Sequence, residues 1–196
     1  SILSMILNND PFGKAISEYY NGDRSEKLLN FGCRTWFSEC KGLFSRERKA
    51  IKLSKGCVLD VGCAAGRHSL YLQSKGNKVV AIDNSPLAIE ISKKRGVKKA
   101  FCLSLTKISY KLGMFDTILM FGNNFGLVGT SGRCRWILRI LKKMTSRDVK
   151  ILAGSGDIRQ NYNSKTVAKV KHNNLNGKYP GQWMHQIEWN GHKTCL

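Results

Sequence analysis

The 196-residue sequence contains no run of about 18 apolar residues, so nothing in it reads as a membrane-spanning helix. It is poor in acid. Asp plus Glu number 13 against 33 Lys plus Arg, a formal net charge of +20, which permits a polyanionic partner but says nothing of fold. Proline is scarce at 3, and two of these, Pro11 and Pro86, stand directly after capping residues rather than inside an element. No Cys-x-x-Cys occurs among the seven scattered cysteines, and the four histidines stand at no ligand spacing to any cysteine pair. That argues against a disulfide framework and against zinc, so no metal is expected, and it favours free thiols in a reducing, cytoplasmic setting. The N-terminal Ser-Ile-Leu-Ser-Met-Ile-Leu lacks the basic flank and long apolar core of a signal peptide, and Met5 is a candidate natural start. No internal repeat or low-complexity linker is present. What remains is 42% hydrophobic and 23% charged, with 19 glycines: a globular chain long enough for one α/β domain and too short for two.

Asp10 followed by Pro11 predicts an N-cap and a helix running to Asn21-Gly22. Residues 24–40 carry aromatics without a clear period and read as short helical pieces. Ser45 to Lys55 reads as a basic helix closed by Gly56. Residues 1–55 are thus expected to form a helical cap ahead of a single unit over 56–196. From Cys57 the pattern changes. Short apolar runs at Cys57–Val61, Lys78–Ile82, Ala100–Leu103, Phe115–Phe121 and Val149–Ala153 predict strands, with helices at Arg67–Lys75, at Pro86 onward behind a Ser85 cap, and at Ser131–Thr145. Alternation of this kind predicts a doubly wound, mainly parallel α/β sheet with helices on both faces. Gln186–Trp189 adds a further strand at the edge.

In such sheets ligands bind beyond the carboxyl ends of the strands, near the point where strand order reverses. The first strand runs into Asp60-Val61-Gly62-Cys63-Ala64-Ala65-Gly66-Arg67-His68. Gly62 and Gly66 are expected to let the turn pass close under a ligand. The spacing is not G-x-G-x-x-G, because Ala64 and Arg67 fall on its second and third glycines. Asp60 would repel a phosphate and suits a ligand carrying an ammonium or sulfonium group. The second strand ends in Asp83, placed to grip both hydroxyls of a ribose.

These residues resemble the class I S-adenosylmethionine-dependent methyltransferases, over roughly residues 56–156. Asp60-x-Gly62-x-Ala64-x-Gly66 is similar to that family's glycine-rich loop, Asp83 to its ribose-binding acid and Phe115–Phe121 to its fourth-strand motif. Gly122–Leu127, Asp10–Ala15 and Gly177–Gln182 resemble a subset of small archaeal and bacterial members. The resemblance implies a Rossmann-like fold, S-adenosylmethionine as cofactor and S-adenosylhomocysteine as product. It implies cofactor contacts from Asp60, Gly62, Cys63, Ala64, Gly66, His68, Asp83, Asn84, Ser104, Phe121, Gly122 and Asn123. Two departures stand out. The position after the third strand offers Leu103 and Ser104 instead of the acid that faces adenine in many members. The family's terminal hairpin is expected to be incomplete, with the seventh strand absent from a truncated chain and a sheet edge left exposed.

Transfer from a sulfonium releases a neutral sulfur and needs mainly alignment, so no general base is assigned. Tyr19 and Tyr20 on the first helix, and Asn124 after the fourth strand, are candidate acceptor contacts; core packing and turn formation are their ordinary alternatives. The basic residues fall in three clusters: Lys41–Lys55, Lys93–Lys99 and Arg135–Lys142. They are spread through the chain without the stacking aromatics of an RNA-binding module. The expected activity is therefore methyl transfer to a small molecule. The alternatives are an RNA methyltransferase using the basic surface, or a cofactor-binding protein without transfer.

Overall fold

A computed structural model describes residues 10–39, 42–155, 164–177 and 186–195. The expected start at Met5, Cys40, Lys41 and most of the Gly177–Gln182 segment lie outside the described residues. Five parallel strands form one sheet in the order β3-β2-β1-β4-β5: β1 (Cys57–Val61), β2 (Lys78–Asp83), β3 (Ala100–Cys102), β4 (Phe115–Met120) and β5 (Thr145–Ala153). This is the Rossmann-like, doubly wound arrangement. Strand order reverses between β1 and β4, at the centre of the sheet.

Period-two alternation sends Leu59, Val61, Val80, Ile82, Ile118 and Met120 to one face, against Ile137 and Leu141 of the helix Ser131–Lys142. Val58, Val79 and Leu119 point to the other face, against Ile51 of the helix Ser45–Ile51 and Leu72 of the helix Arg67–Ser74. In chain order the helices are α1 (Pro11–Tyr20), α2 (Glu26–Phe31), α3 (Cys33–Phe37), α4 (Ser45–Ile51), α5 (Arg67–Ser74), α6 (Pro86–Lys94), α7 (Ser131–Lys142) and α8 (Ser164–Leu175).

Two caps tie the N-terminal helices to the sheet. Asp10 Oδ1 accepts from Gly13 N–H at 2.7 Å, capping α1. Its Oδ2 accepts from Ser85 Oγ at 2.7 Å, and Ser85 in turn caps α6 by accepting from Ala88 N–H at 3.0 Å. One carboxylate therefore joins the starts of two helices 75 residues apart in sequence. Behind it, Ile16 packs with Ala64, Ala65, Ala88 and Ile91.

Several boundaries differ from the sequence reading. Helix α4 stops at Ile51 instead of Lys55, and β5 begins at Thr145 with a register shift opposite Phe115–Thr117. Helix α8 has no counterpart in that reading. The sheet is left unclosed, as expected: among the described residues no strand pairs beyond β5, but a seventh strand is present apart from it. Gln186–Trp189 (β6) does not join the sheet but pairs antiparallel with β7 (His192–Cys195). The turn between them is Asn190-Gly191, with φ of 47° and 79°. Trp189 anchors the hairpin on the cap, buried with Ala15, Tyr19 and Leu28, its indole N–H donating to Glu18 Oε2 at 2.8 Å.

Candidate functional site

A cleft of about 1330 Å³ opens beyond the carboxyl ends of β1, β2 and β4, at the reversal of strand order. The turn after β1 forms its floor. Gly62 and Cys63 N–H groups both donate to Ile82 O, at 2.8 and 3.1 Å, which bends the chain away from the sheet. Ala64 follows with φ 48°, a left-handed conformation uncommon for a residue with a Cβ. It is held there because its N–H donates to Asp83 Oδ2 at 2.9 Å, while Asp83 Oδ1 accepts from Ser85 N–H at 3.0 Å. Asp83 thus fixes the turn as well as bordering the cleft. Burial pushes its carboxyl up to about 6, against the lowering effect of those two amide bonds.

The glycines of the turn are required for a different reason from the one expected. A Cβ on Gly62 would lie 2.3 Å from Asn124 Nδ2, and one on Gly66 would lie 2.5 Å from Val97 Cγ2. Protein packing, not a ligand, occupies those spaces. Gly122 is the position with open space: φ is +66° and nothing lies within 4 Å of the point a Cβ would take.

The cleft is lined by Gly62, Cys63, Ala64, His68, Asp83, Asn84, Ser104, Phe121, Gly122, Asn123 and Asn124 from the sequence-derived set. Cys63 turns its thiol inward toward Ala64 O at 3.8 Å, so its backbone faces the cleft, and burial pushes that thiol well up. Ser104 Oγ is shared with Thr106, at 3.0 Å from its hydroxyl. Asn123 holds φ 67° at the end of β4. Asn124 donates its amide to both Val61 O and Gly62 O, at 2.8 and 2.9 Å, clamping the β4 turn onto the β1 turn. Its Oδ1 is what remains for another partner.

Four of the expected residues do not line the cleft. Asp60 is buried beneath the turn, accepting from Ser69 Oγ at 2.6 Å, and burial raises its pKa against the pull of His68, Ser69 and Arg67. A ligand cation does not reach it. Gly66 faces α6. Tyr19 stacks on Phe37 at 4.9 Å and under Arg24 at 3.9 Å, because its helix turns that side toward the cap's own core. Tyr20 lies at the surface, 6.4 Å from Phe37.

The sequence reading missed Glu47. It sits in a basic helix yet is buried, with Oε2 3.2 Å from Arg67 Nη2 and 3.7 Å from His68 Nε2. Burial pushes the Glu47 carboxyl up, and His68 with Arg67 outweighs that and leaves it below its ordinary value. The signal was available: Glu47 is the one acid between residues 41 and 59, and it stands four residues before buried Ile51. Phe12 and Trp36, edge to face at 4.6 Å, also line the cleft and were not singled out. Among the described residues no group of His, Cys, Asp and Glu is placed to hold a metal ion, and no helix is long and apolar enough to cross a membrane.

Comparison with known proteins agrees with this geometry. A profile described as a methyltransferase domain matches residues 58–144. A crystal structure of an S-adenosylmethionine-dependent methyltransferase from Bacteroides fragilis, in complex with S-adenosyl-L-homocysteine, superposes with a TM-score of 0.74. It is 28% identical, over 95% of this chain and 78% of its own. A probable cobalt-precorrin-6B C(15)-methyltransferase (decarboxylating) from Pyrobaculum aerophilum is 43% identical over 61 residues, 26% of this chain. The mitochondrial ubiquinone biosynthesis O-methyltransferase of Schizosaccharomyces pombe is 33% identical over 85 residues, 43% of this chain. The matches span only 31% and 30% of those two relatives' lengths.

Proposed function

We propose that the chain is a class I S-adenosylmethionine-dependent methyltransferase and that it transfers the methyl group of S-adenosylmethionine to a small-molecule acceptor. The observation that carries this reading is the meeting of three strand ends in one cleft: the 62–64 turn, the Asp83 carboxylate with Asn84, and the open turn at Gly122.

The residues present fit the cofactor. Each Asp83 oxygen takes one backbone amide, and a carboxylate has about four acceptor positions, so two remain for the hydroxyls of a ribose. Backbone of Gly62, Cys63 and Ala64 and the open space at Gly122 suit close approach of the methionine portion. Asn84 and Ser104 border the nucleoside end, where the serine hydroxyl is available to the base. Phe121 and Asn123 close the far side. The described residues of the N-terminal helical cap border the cleft, with Phe12 and Trp36 walling it against water.

When bound, the cofactor supplies an electrophilic methyl group on a sulfonium. The protein's task is to hold an acceptor atom in line with it, an effect worth up to roughly 7–11 kcal/mol. The names of the two curated relatives, a cobalt-precorrin-6B C(15)-methyltransferase and a ubiquinone biosynthesis O-methyltransferase, support the acceptor class. The charge of the cleft supports it too. Its lining holds Arg46, Arg67 and Arg133 against Asp10, Glu47 and Asp83, a balanced set in a chain of net charge +20.

Titration calorimetry with S-adenosylhomocysteine tests the cofactor, and labelled-methyl transfer into a low-molecular-mass cell extract tests the acceptor. Binding followed by label in small molecules is expected. Binding of NAD with none of S-adenosylhomocysteine overturns the reading, as does cofactor binding without transfer to any extract component.

A further inference from the structure

Resting on the methyl-transfer reading, we infer that His68 is the proton acceptor of the reaction, positioned by Glu47, and that the acceptor belongs to the protic class: a hydroxyl, thiol or protonated amine.

His68 lines the cleft, is more than nine-tenths buried, and presents its ring edge-on to Phe121 with centroids 5.2 Å apart. Its Nε2 is one of two buried side-chain polar atoms without a hydrogen-bond partner among the described residues. Leaving a buried polar group unsatisfied is costly, and a phenyl ring of similar size would avoid that cost. The nearest acceptor is Glu47 Oε2 at 3.7 Å, just beyond hydrogen-bond reach. Carboxylate–imidazole contacts in ligand-free sites are often long and tighten when the site is filled. Glu47 is itself anchored, since Arg67 Nη2 lies 3.2 Å from the same oxygen.

The charged groups facing His68 come from three elements: Glu47 from α4, Asp60 from β1 beneath, and Arg67 beside it on α5. Phe121, from the turn after β4, contributes none. Two carboxylates and one guanidinium thus surround the ring. The other acids of the cleft are committed: Asp10 accepts from Gly13 N–H and Ser85 Oγ, and Glu47 is paired with Arg67. Asp83 is tied to two amides at the nucleoside end, Asp60 does not reach the cleft, and His172 lies exposed on α8.

The step balances. A hydroxyl or thiol gives up its proton as its lone pair forms the new bond to the methyl carbon, a protonated amine gives it up first so that a lone pair exists, and the carbon–sulfur pair stays on sulfur, which becomes neutral. That proton passes to the imidazole, and from there to water after product leaves.

Diethyl pyrocarbonate at pH 8 on the full chain saturated with S-adenosylhomocysteine, followed by peptide mapping, tests the reactive nitrogen, with exposed His172 as internal reference. Modification of His68 is expected, slower than that of exposed His172 because the ring is buried. In Glu47→Gln that rate should fall at least threefold, because the carboxylate no longer accepts the ring N–H. His68→Gln should bind S-adenosylhomocysteine within twofold of wild type and lower kcat in the extract assay roughly 10²-fold or more, the usual scale for a lost proton acceptor. An unmodified His68 beside a modified His172 overturns the inference. So does tenfold weaker cofactor binding in His68→Gln, which assigns the ring to the cofactor, or a kcat near wild type. Failure of the wild-type chain to bind S-adenosylhomocysteine instead strikes the methyl-transfer reading itself. If Glu47→Gln does not fold, the His68→Gln measurements decide alone.

Discussion

Asp83 is a buried carboxylate with one backbone amide on each oxygen, and its titration has two readable consequences. Its pKa is raised to about 6, against about 3.9 for an unfolded Asp. Between about pH 4 and 6 the folded chain therefore holds a proton that the unfolded chain has lost, so this group's contribution to stability falls as pH rises through that window. Urea denaturation across that range should show wild type losing stability relative to Asp83→Asn, by up to about 3 kcal/mol. Ribose hydroxyls need the ionised form as acceptor. S-adenosylhomocysteine affinity should thus drop below about pH 6 in wild type, and in Asp83→Asn should be weaker by about 1.5–3 kcal/mol at pH 8 and flat across the range. A pH-independent wild-type affinity would remove Asp83 from that role. Gly62 gives a second test. Gly62→Ala drives a Cβ into the Asn124 amide, so Asn124→Gly should relieve part of the loss, with a coupling of about 0.5–3 kcal/mol in a double-mutant cycle of denaturation midpoints. Strict additivity would mean that backbone strain alone excludes alanine. The need for glycine was legible in the sequence, but its cause was not. The amide that fills the space comes from 62 residues away, and no local pattern announces such a contact.

At the scale of elements, the cap is fastened to the sheet by side chains that composition alone places on the surface. Arg95 belongs to a basic run in the sequence, yet its guanidinium donates to Ala65 O and reaches Trp36 O and Phe37 O at 3.4 Å, joining the end of α3 to the turn after β1. Glu47 does the same from α4 through Arg67. Glu47→Ala leaves that guanidinium buried and unpaired, and should destabilise the chain by about 3–5 kcal/mol. Glu90→Ala breaks a shorter contact, 2.6 Å to Lys94, but both partners are half exposed, so the denaturation midpoint should barely move. Equal losses in the two variants would refute the idea that burial, rather than distance, sets the value of these pairs. Strands and caps were legible because their signals are local: near-continuous apolar runs for buried parallel strands, Asp10 and Ser85 ahead of their prolines for helix starts. Strand β7 was missed although Asn190-Gly191 is a strong hairpin signal, since His-Lys-Thr-Cys after it has neither an apolar run nor period-two alternation. Helix α8 was missed because its sequence, SKTVAKVKHNNL, holds few apolar residues to set a period.

For the whole molecule the question is whether a net charge of +20 makes this a nucleic-acid enzyme. A polyanion site needs cations gathered along one groove beside the methyl donor. Here they are distributed. Arg135 and Arg139 lie exposed on α7, which packs on the sheet face lined by Leu59 and Ile118. Lys49 and Lys52 lie exposed along α4 and just after it, over the opposite face, where Ile51 packs with Val58. Lys93 and Lys94 are at the C-terminal end of α6, whose N-terminal end is the one that meets the cleft through Ser85 and Pro86. The cleft itself balances three arginines with three acids, and one of those arginines is paired with Glu47. Dispersed charge of this kind gives non-specific binding of order 10⁻⁴–10⁻⁶ M near physiological salt, weakening steeply as salt rises. Gel shifts on bulk tRNA and rRNA should therefore show only such binding, and labelled methyl should stay in the small-molecule fraction when RNA and extract compete. Arg135→Glu with Arg139→Glu should weaken RNA binding slightly and leave transfer to the extract unchanged, because α7 presents those residues away from the strand ends. Incorporation of label into RNA at physiological salt, lost in that double variant, would instead make the basic face of α7 a substrate track and RNA the acceptor.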